Sequence, residues 1–308
     1  MKKLNGLISA TQLADRSLLE SLFTAAAAME RHDAARTLKL SLSGRILATI
    51  FYEPSTRTRL SFEAAMQKLG GSILTAENAR ENSSAAKGES IADAIRVIGG
   101  YADVIVMRHF EEGAARSAAE ISPVPLINAG DGAGEHPTQA LVDTYTMTKE
   151  LGSIAGKRIA LVGDLLYGRT IHSLLQLLSL YEGASIDLIA PPNLRLPAQY
   201  TEYLSANKVM FRESESLEDV LSDVDVLYIT RVQRERFSSV AEYEAIKDSY
   251  FVDAAMASRM KPGAVILHAL PRLNEIAAEV DADPRAAYFR QARNGLFIRM
   301  ALLEYLLT

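Results

Sequence analysis

Short runs of β-branched and apolar residues alternate with stretches of helical periodicity along nearly the whole chain. No other feature restricts the fold as much. The segment Ile46–Tyr52 (ILATIFY) predicts a buried strand, and Thr58–Leu69 follows with Leu60, Phe62, Ala65, Met66 and Leu69 at helical spacing. Two further strands are expected at Ala102–Met107 and Val124–Ile127. The stretch Pro137–Leu151 predicts one long helix, with Pro137 in its first turn, where a missing N–H is tolerated. The pattern then restarts with a strand at Arg158–Val162, a helix at Thr170–Leu180 and a strand at Ser185–Ala190. After the break at Pro191-Pro192 come strands at Val224–Ile229 and Ala264–Leu267, and an amphipathic helix over 288–307.

Alternating β and α elements imply parallel sheets covered on both faces. Two such series predict an α/β chain of two doubly wound parallel-sheet domains, residues 1–150 and 151–287, with the helix 288–308 packing back on the first. Ligands in such folds sit at the carboxyl ends of strands. The expected active site is therefore an interdomain cleft lined by strand-to-helix junctions.

Composition narrows the function classes. With 48% hydrophobic residues in 308, the chain can bury a core in each domain. Its formal net charge of -5 disfavours nucleic acid and anionic membrane as partners, so any anion site must be a local cluster of basic groups. The cysteine count of 0 excludes a thiol nucleophile and thiolate metal sites, and it fits a reducing compartment. The apolar stretch after Met1 is broken by Asn5, Gly6, Ser9, Thr11 and Gln12, unlike a secretory signal, and no run is suited to spanning a bilayer. A cytoplasmic location is expected. Neither a metal cluster nor a cofactor motif is visible.

Chemistry concentrates at the predicted junctions. In Phe51–Phe62 (FYEPSTRTRLSF), a strand gives way through Pro54 to Ser55, Thr56, Arg57 and Thr58 at a helix start. Backbone N–H groups, hydroxyls and a guanidinium at one helix N-terminus suit a phosphate group. The alternative is that Ser55 or Thr56 only caps the helix and Arg57 is solvated. In EHPTQ, His136 precedes a helix and Gln139 lies about one turn on. A histidine there can polarise a carbonyl or move a proton, or be purely structural. The strand ending VMRH carries Arg108, and SSAAKGE reads as a mobile surface loop holding Ser83 and Lys87. In the second series, GDLLYGRT carries Arg169, TRVQ carries Arg231 and Gln233, and HALPR carries the Leu270-Pro271 turn. No GxGxxG or GxxxxGK[ST] occurs, which argues against a dinucleotide site and a Walker loop. Two arginines at strand ends suggest a ligand with carboxylates, although each alone fits a surface ion pair better. The residues by themselves support a transferase acting on a phosphorylated donor.

At these positions the chain resembles the aspartate carbamoyltransferase catalytic-chain family, within the aspartate/ornithine carbamoyltransferase superfamily. The resemblance runs over nearly the whole length. It is carried by FYEPSTRTRLSFE, KGES, VMRH, EGAAR, NAGDGAGEHPTQAL, VGDLLYGRTIHSL, LYITRVQRERF, HALPR and the closing NGLF, in that order. It implies transfer of the carbamoyl group of carbamoyl phosphate to L-aspartate, an early step of pyrimidine biosynthesis, without a cofactor or a metal. The first domain would bind carbamoyl phosphate and the second aspartate.

Residue roles follow from the same resemblance. Ser55, Thr56, Arg57 and Thr58 would hold the phosphate. Thr58, Arg108 and His136 would polarise the carbamoyl oxygen, and Gln139 with the Leu270-Pro271 backbone would hold the carbamoyl amide. Ser83 and Lys87 match residues that reach a neighbouring subunit's site, which makes Lys87 a catalytic and aspartate-binding candidate and implies a homotrimer with shared sites. Arg169, Arg231 and Gln233 would take the aspartate carboxylates. A separate regulatory chain is left open as a partner. Leu166 stands where regulated members often carry lysine, and Ala269 where proline is common. Ornithine is the rival acceptor, but that branch carries cysteine in its HPxQ and HxLP motifs and an SMG segment, all missing here. A catalytically dead structural subunit is the other rival, and the occupied catalytic positions speak against it.

Overall fold

The computed structural model describes residues 4–234, 237 and 239–308, so the N-terminal Lys2 and Lys3 fall outside it. The chain divides into two compact units, Met1–Val142 with Ala292–Thr308, and Asp143–Gln291.

The first unit contains β1 (Gly6–Leu7), α1 (Arg16–Ala34), β2 (Ile46–Phe51), α2 (Thr56–Lys68), β3 (Ser72–Glu77) and α3 (Ala79–Asn82). A 3₁₀ turn at Ser84–Lys87, α4 (Ile91–Gly99), β4 (Val104–His109), α5 (Ala114–Ile121), β5 (Leu126–Asp131) and the start of α6 (Pro137–Leu151) complete its N-terminal portion. Its five strands are all parallel, in the order β1-β5-β4-β2-β3. From β2 the chain steps outward to β3 and then returns to the other side as β4, so the topological switch point lies between β2 and β4. α1 begins where the Asp15 carboxylate accepts from Ser17 N–H, and it buries Leu18, Leu22, Ala26 and Met29 along one face. One core cluster packs Ala48, Ile50, Ile95, Ile105, Met107 and Leu126. Burying a side chain the size of Leu or Ile contributes about 1.5–3 kcal/mol.

The second unit repeats the plan. It holds β6 (Arg158–Val162), α7 (Arg169–Leu178), β7 (Ser185–Ile189), α8 (Ala198–Ala206), β8 (Met210–Ser214) and β9 (Val226–Ile229). After these come α9 (Val240–Ile246), α10 (Ala254–Ser258), β10 (Val265–His268) and the first residues of α11 (Tyr288–Leu307). The parallel order β10-β9-β6-β7-β8 puts this switch point between β6 and β9. From Ala292 onward α11 belongs to the first unit. There, Leu4 N–H reaches the Tyr305 hydroxyl at 3.4 Å, and the Arg299 guanidinium lies 5.1 Å from the Phe62 ring centroid.

Several boundaries differ from expectation. The expected strand at Val124–Ile127 is in fact Leu126–Asp131, running into the polar residues Asn128 and Asp131, yet all six positions are buried. Polarity is tolerated because Asn128 donates to Ile8 O at 3.0 Å and to Asp131 Oδ1 at 3.0 Å. The stretch around Ser83 and Lys87, read as a loop, is a 3₁₀ turn: Ser83 Oγ accepts from Ala85 N–H at 3.1 Å and donates to Ala79 O at 2.5 Å. No helix among the described residues is long and apolar enough to cross a membrane.

Candidate active site

In the first unit, the candidate site residues gather at the β2/β4 switch point. Phe51 and Arg108 are register partners, and Tyr52 N–H donates to Arg108 O at 2.9 Å. The segment Ser55–Thr58 therefore leaves β2 directly beside the β4 end that carries Arg108. Ser55 is the N-cap residue of α2 by backbone geometry, but its side chain makes no capping hydrogen bond. The first N–H groups of α2 are therefore not met by the Ser55 hydroxyl. The two arginines of the motif have separate duties. Arg59 is structural, with NH1 3.1 Å from Glu63 Oε1 and NH2 2.7 Å from Glu77 Oε2, tying α2 to β3. Arg57 is exposed and Thr58 is buried.

Arg108 is held by its surroundings. Its guanidinium donates to Ala129 O at 3.3 Å and lies 3.3 Å from Glu53 Oε1. Glu53, in the middle of the FYEP motif, is an orienting residue that sequence reasoning gave no role. The next residue, His109, fixes the turn that follows: Glu111 N–H donates to its Nδ1 at 3.0 Å. Burial pushes the His109 pKa down, against the pull of nearby carboxylates, which keeps this ring neutral.

His136 and Gln139 follow β5, the neighbour of β4. His136 is buried at 4% exposure, just ahead of α6, and its Nδ1 is 3.3 Å from Thr138 Oγ1. Gln139 is half-buried in the first turn of that helix. Lys87 is exposed and follows β3, the edge strand of the sheet.

In the second unit, the candidate site residues gather at the β6/β9 switch point. Val162 and Ile229 are register partners, so GDLLYGRT and TRVQ leave adjacent strand ends. Gly163 has φ +111°, and a Cβ there would stand 2.3 Å from Thr230 O, so only glycine fits this crossing. Thr230 Oγ1 accepts from Asp164 N–H at 2.9 Å. Asp164 is fully buried, and its carboxylate accepts from Tyr167 N–H at 2.9 Å and Gln233 N–H at 3.4 Å. Gln233 Nε2 donates to Tyr167 O at 3.0 Å. One buried carboxylate therefore ties the loop that delivers Arg169 to the loop that delivers Arg231 and Gln233. Glu235 and Arg236 of the LYITRVQRERF motif lie outside the described residues.

The Leu270-Pro271 peptide, cis, follows β10. The adjacent Arg272 is committed elsewhere: it pairs with Asp281, NH2 to Oδ2 at 2.7 Å, and lies over the Tyr288 and Phe289 rings. The hydrogen bond from Arg272 holds the Asp281 carboxyl below the ordinary value of 3.8. A carboxylate with a depressed folded pKa stabilises the fold above its unfolded pKa, and loses that contribution as pH falls through the folded one. Asp281→Asn is expected to be less stable than the parent near neutral pH. In thermal melts as a function of pH, the gap should close below 3.8. A gap that is unchanged in acid would rule the pairing out.

Among the described residues, no group of three or more His, Asp or Glu is placed to hold a metal ion.

Comparison with known proteins matches both units. Residues 6–149 match the family described as "Aspartate/ornithine carbamoyltransferase, carbamoyl-P binding domain". Residues 155–306 match "Aspartate/ornithine carbamoyltransferase, Asp/Orn binding domain". The chloroplastic aspartate carbamoyltransferase of Arabidopsis thaliana is 54% identical over 96% of this chain and 76% of its own length. The aspartate carbamoyltransferase catalytic subunit of Methanocaldococcus jannaschii is 51% identical over 98% of this chain and 97% of its own. The crystal structure of Trypanosoma cruzi aspartate transcarbamoylase in complex with N-(phosphonacetyl)-L-aspartic acid superposes with a TM-score of 0.94 at 43% identity, covering 99% of this chain and 97% of that one.

Proposed function

Because the chain belongs to the aspartate/ornithine carbamoyltransferase family, we propose that it transfers the carbamoyl group of carbamoyl phosphate to L-aspartate, giving N-carbamoyl-L-aspartate and phosphate. The reaction is an early step of pyrimidine biosynthesis. The observation that carries the reading is that each unit has its own switch point and the two are differently equipped. One offers a helix N-terminus whose cap residue leaves its hydroxyl unspent, beside an oriented arginine. The other offers Arg169, Arg231 and Gln233 on two loops joined by Asp164.

The residues divide the work as follows. Ser55, Thr56, Arg57 and Thr58 receive the phosphate at the start of α2. Thr58, Arg108 and His136 donate to the carbamoyl oxygen as it gains negative charge. Gln139 and the Leu270-Pro271 backbone hold the carbamoyl amide, while Arg169, Arg231 and Gln233 take the aspartate carboxylates. The amine of aspartate forms the new N–C bond, the C–O bond to phosphate breaks, and the departing phosphate takes up the amine proton. No activated nucleophile is needed, because phosphate is already a good leaving group. Catalysis is then positioning plus oxyanion stabilisation, and positioning alone can supply about 7–11 kcal/mol.

The finer assignments belong to the same proposal. The residues 1–150 and 151–287 act as donor and acceptor domains, with 288–308 on the donor side. The active assembly is a homotrimer, in which Ser83 and Lys87 serve a neighbouring chain. What supports this is an exposed Lys87 together with the apolar Leu60 and Leu74, 48% and 45% exposed on α2 and the edge strand β3. A cytoplasmic location suits a cysteine-free chain, whereas the Arabidopsis relative is named as chloroplastic. A separate regulatory chain stays a partner to be sought by co-purification.

Calorimetric titration with N-(phosphonacetyl)-L-aspartic acid, the ligand of the Trypanosoma structure, tests the pairing of the two halves. We expect tight binding at one ligand per chain, at least 100-fold stronger than phosphate or aspartate alone, as befits a compound that joins both substrates. Binding no tighter than that of either fragment would contradict the proposal. Light scattering in the same buffer should give three times the chain mass of 33.6 kDa.

A further inference from the structure

The loop after β10 is held by a buried polar chain that spans the second unit. Tyr228 donates its hydroxyl to Asp143 Oδ2 at 2.8 Å, and Gln291 Nε2 donates to Asp143 Oδ1 at 2.6 Å. Gln291 Oε1 in turn accepts from the backbone N–H of His268 at 2.9 Å. The His268 ring completes the chain. Its Nδ1 accepts from Leu270 N–H at 2.7 Å, and its Nε2 lies 2.7 Å from Glu275 Oε1. Glu275 Oε2 accepts from Leu273 N–H at 3.0 Å. Tyr228, Asp143, Gln291 and His268 are all at most 3% exposed.

This arrangement fixes the ring's tautomer. A ring nitrogen that accepts a hydrogen bond carries no proton, so the proton sits on Nε2 and is donated to Glu275. The ring therefore acts as a two-sided clamp, with Leu270 N–H on one side and Glu275, which holds Leu273 N–H, on the other. Between those two amides lie Leu270, Pro271 and Arg272. His109 makes the same bond to the residue two positions on, at the end of β4.

We infer that His268 is a positioning residue of the transfer reaction: through Nδ1 it aims the Leu270-Pro271 backbone at the carbamoyl amide. This rests on the function proposed above, in which that backbone holds the donor. His268 touches no substrate. Its effect on the donor comes chiefly through the Leu270 amide, with the Glu275 side of the clamp adding stability, and Tyr228, Asp143 and Gln291 anchor the histidine's own backbone from behind.

Two substitutions separate positioning from bulk stability. Asparagine can accept from the N–H two residues on, as in an Asx turn, so His268→Asn keeps the Leu270 bond while losing Glu275. His268→Ala loses both. The two variants should show similar falls in melting temperature. They should differ in kcat/KM for carbamoyl phosphate. The alanine variant is expected to lose about 100-fold, the scale of a misplacement of about 1 Å, while the asparagine variant stays within a few-fold of the parent. Equal activity of the two variants, or an alanine variant at the parent level, would overturn the inference. Hydrogen exchange at the Leu270 amide of the unliganded wild-type chain gives a second reading that needs neither variant nor turnover. We expect protection comparable to that of the β10 amides, and free exchange would refute the clamp. If the wild type made no product, the proposed function would fail, whereas the exchange result would still judge the clamp.

Discussion

His136→Ala is expected to lower turnover by about 100- to 1000-fold, the usual cost of removing one donor from a developing oxyanion. The side chain is 4% exposed at the head of α6, and its Nδ1 faces the Thr138 hydroxyl at 3.3 Å. The proposed role needs the ring proton on Nε2, with Nδ1 accepting from the Thr138 hydroxyl, so that Nε2–H can be given to the carbamoyl oxygen. In this role the histidine is neither base nor nucleophile. Arg108 and Thr58 remain in the variant, so measurable activity should survive. The KM for aspartate should move little, since its carboxylates are assigned to other residues. Steady-state kinetics with both substrates varied would settle this. Wild-type turnover would remove His136 from the mechanism, and complete inactivity in a folded variant would point to covalent or acid–base chemistry instead.

Asp164→Ala is expected to act on the other substrate. Asp164 is fully buried and holds Tyr167 N–H and Gln233 N–H, one from each of the loops that carry Arg169 and Arg231. Its removal leaves buried donors without an acceptor, at about 1–3 kcal/mol each, and loosens the tie between the two loops. We expect kcat/KM for aspartate to fall by about 100-fold, because the carboxylate clamp loses its fixed spacing. Carbamoyl phosphate affinity should stay near the parent value, since its phosphate is assigned to the start of α2. Competition by each substrate's unreactive analogue would resolve the two affinities. An equal loss for both substrates would indicate a folding defect rather than a disordered acceptor half.

How much of this was legible in the sequence depended on burial. The central strands β2, β4, β6 and β9 are covered on both faces, and β10, although at the edge of its sheet, is buried at every position, so each reads as an apolar run. The edge strands β3 and β8 gave no such signal. SILTAE and MFRES are exposed or half-buried at every position, because an edge strand has little to cover it. Ser55–Thr58, Arg108, Arg169 and Arg231 could be found because polar residues directly after an apolar strand stand out. Asp164, Glu53 and His268 were present in the same motifs, and Glu275 just beyond one, but had no visible role. Each acts on a backbone amide or on another side chain, and for Asp164 and Glu53 a partner is brought close only by the sheet order. Sequence spacing cannot show that Asp164 meets Gln233, or that Glu53 meets Arg108. The 3₁₀ turn at Ser84–Lys87 was missed for a related reason: its polar composition reads as loop, while its bonds come from the Ser83 hydroxyl and the backbone.

The most direct measurement is product formation by the purified chain with carbamoyl phosphate, comparing L-aspartate with L-ornithine as acceptor. Carbamoyl-aspartate and phosphate should appear in equal amounts with aspartate, and no carbamoylated product should form from ornithine. Product from ornithine instead would keep the donor half and overturn the roles of Arg169, Arg231 and Gln233. The absence of product with either acceptor, from a folded chain, would contradict the account as a whole.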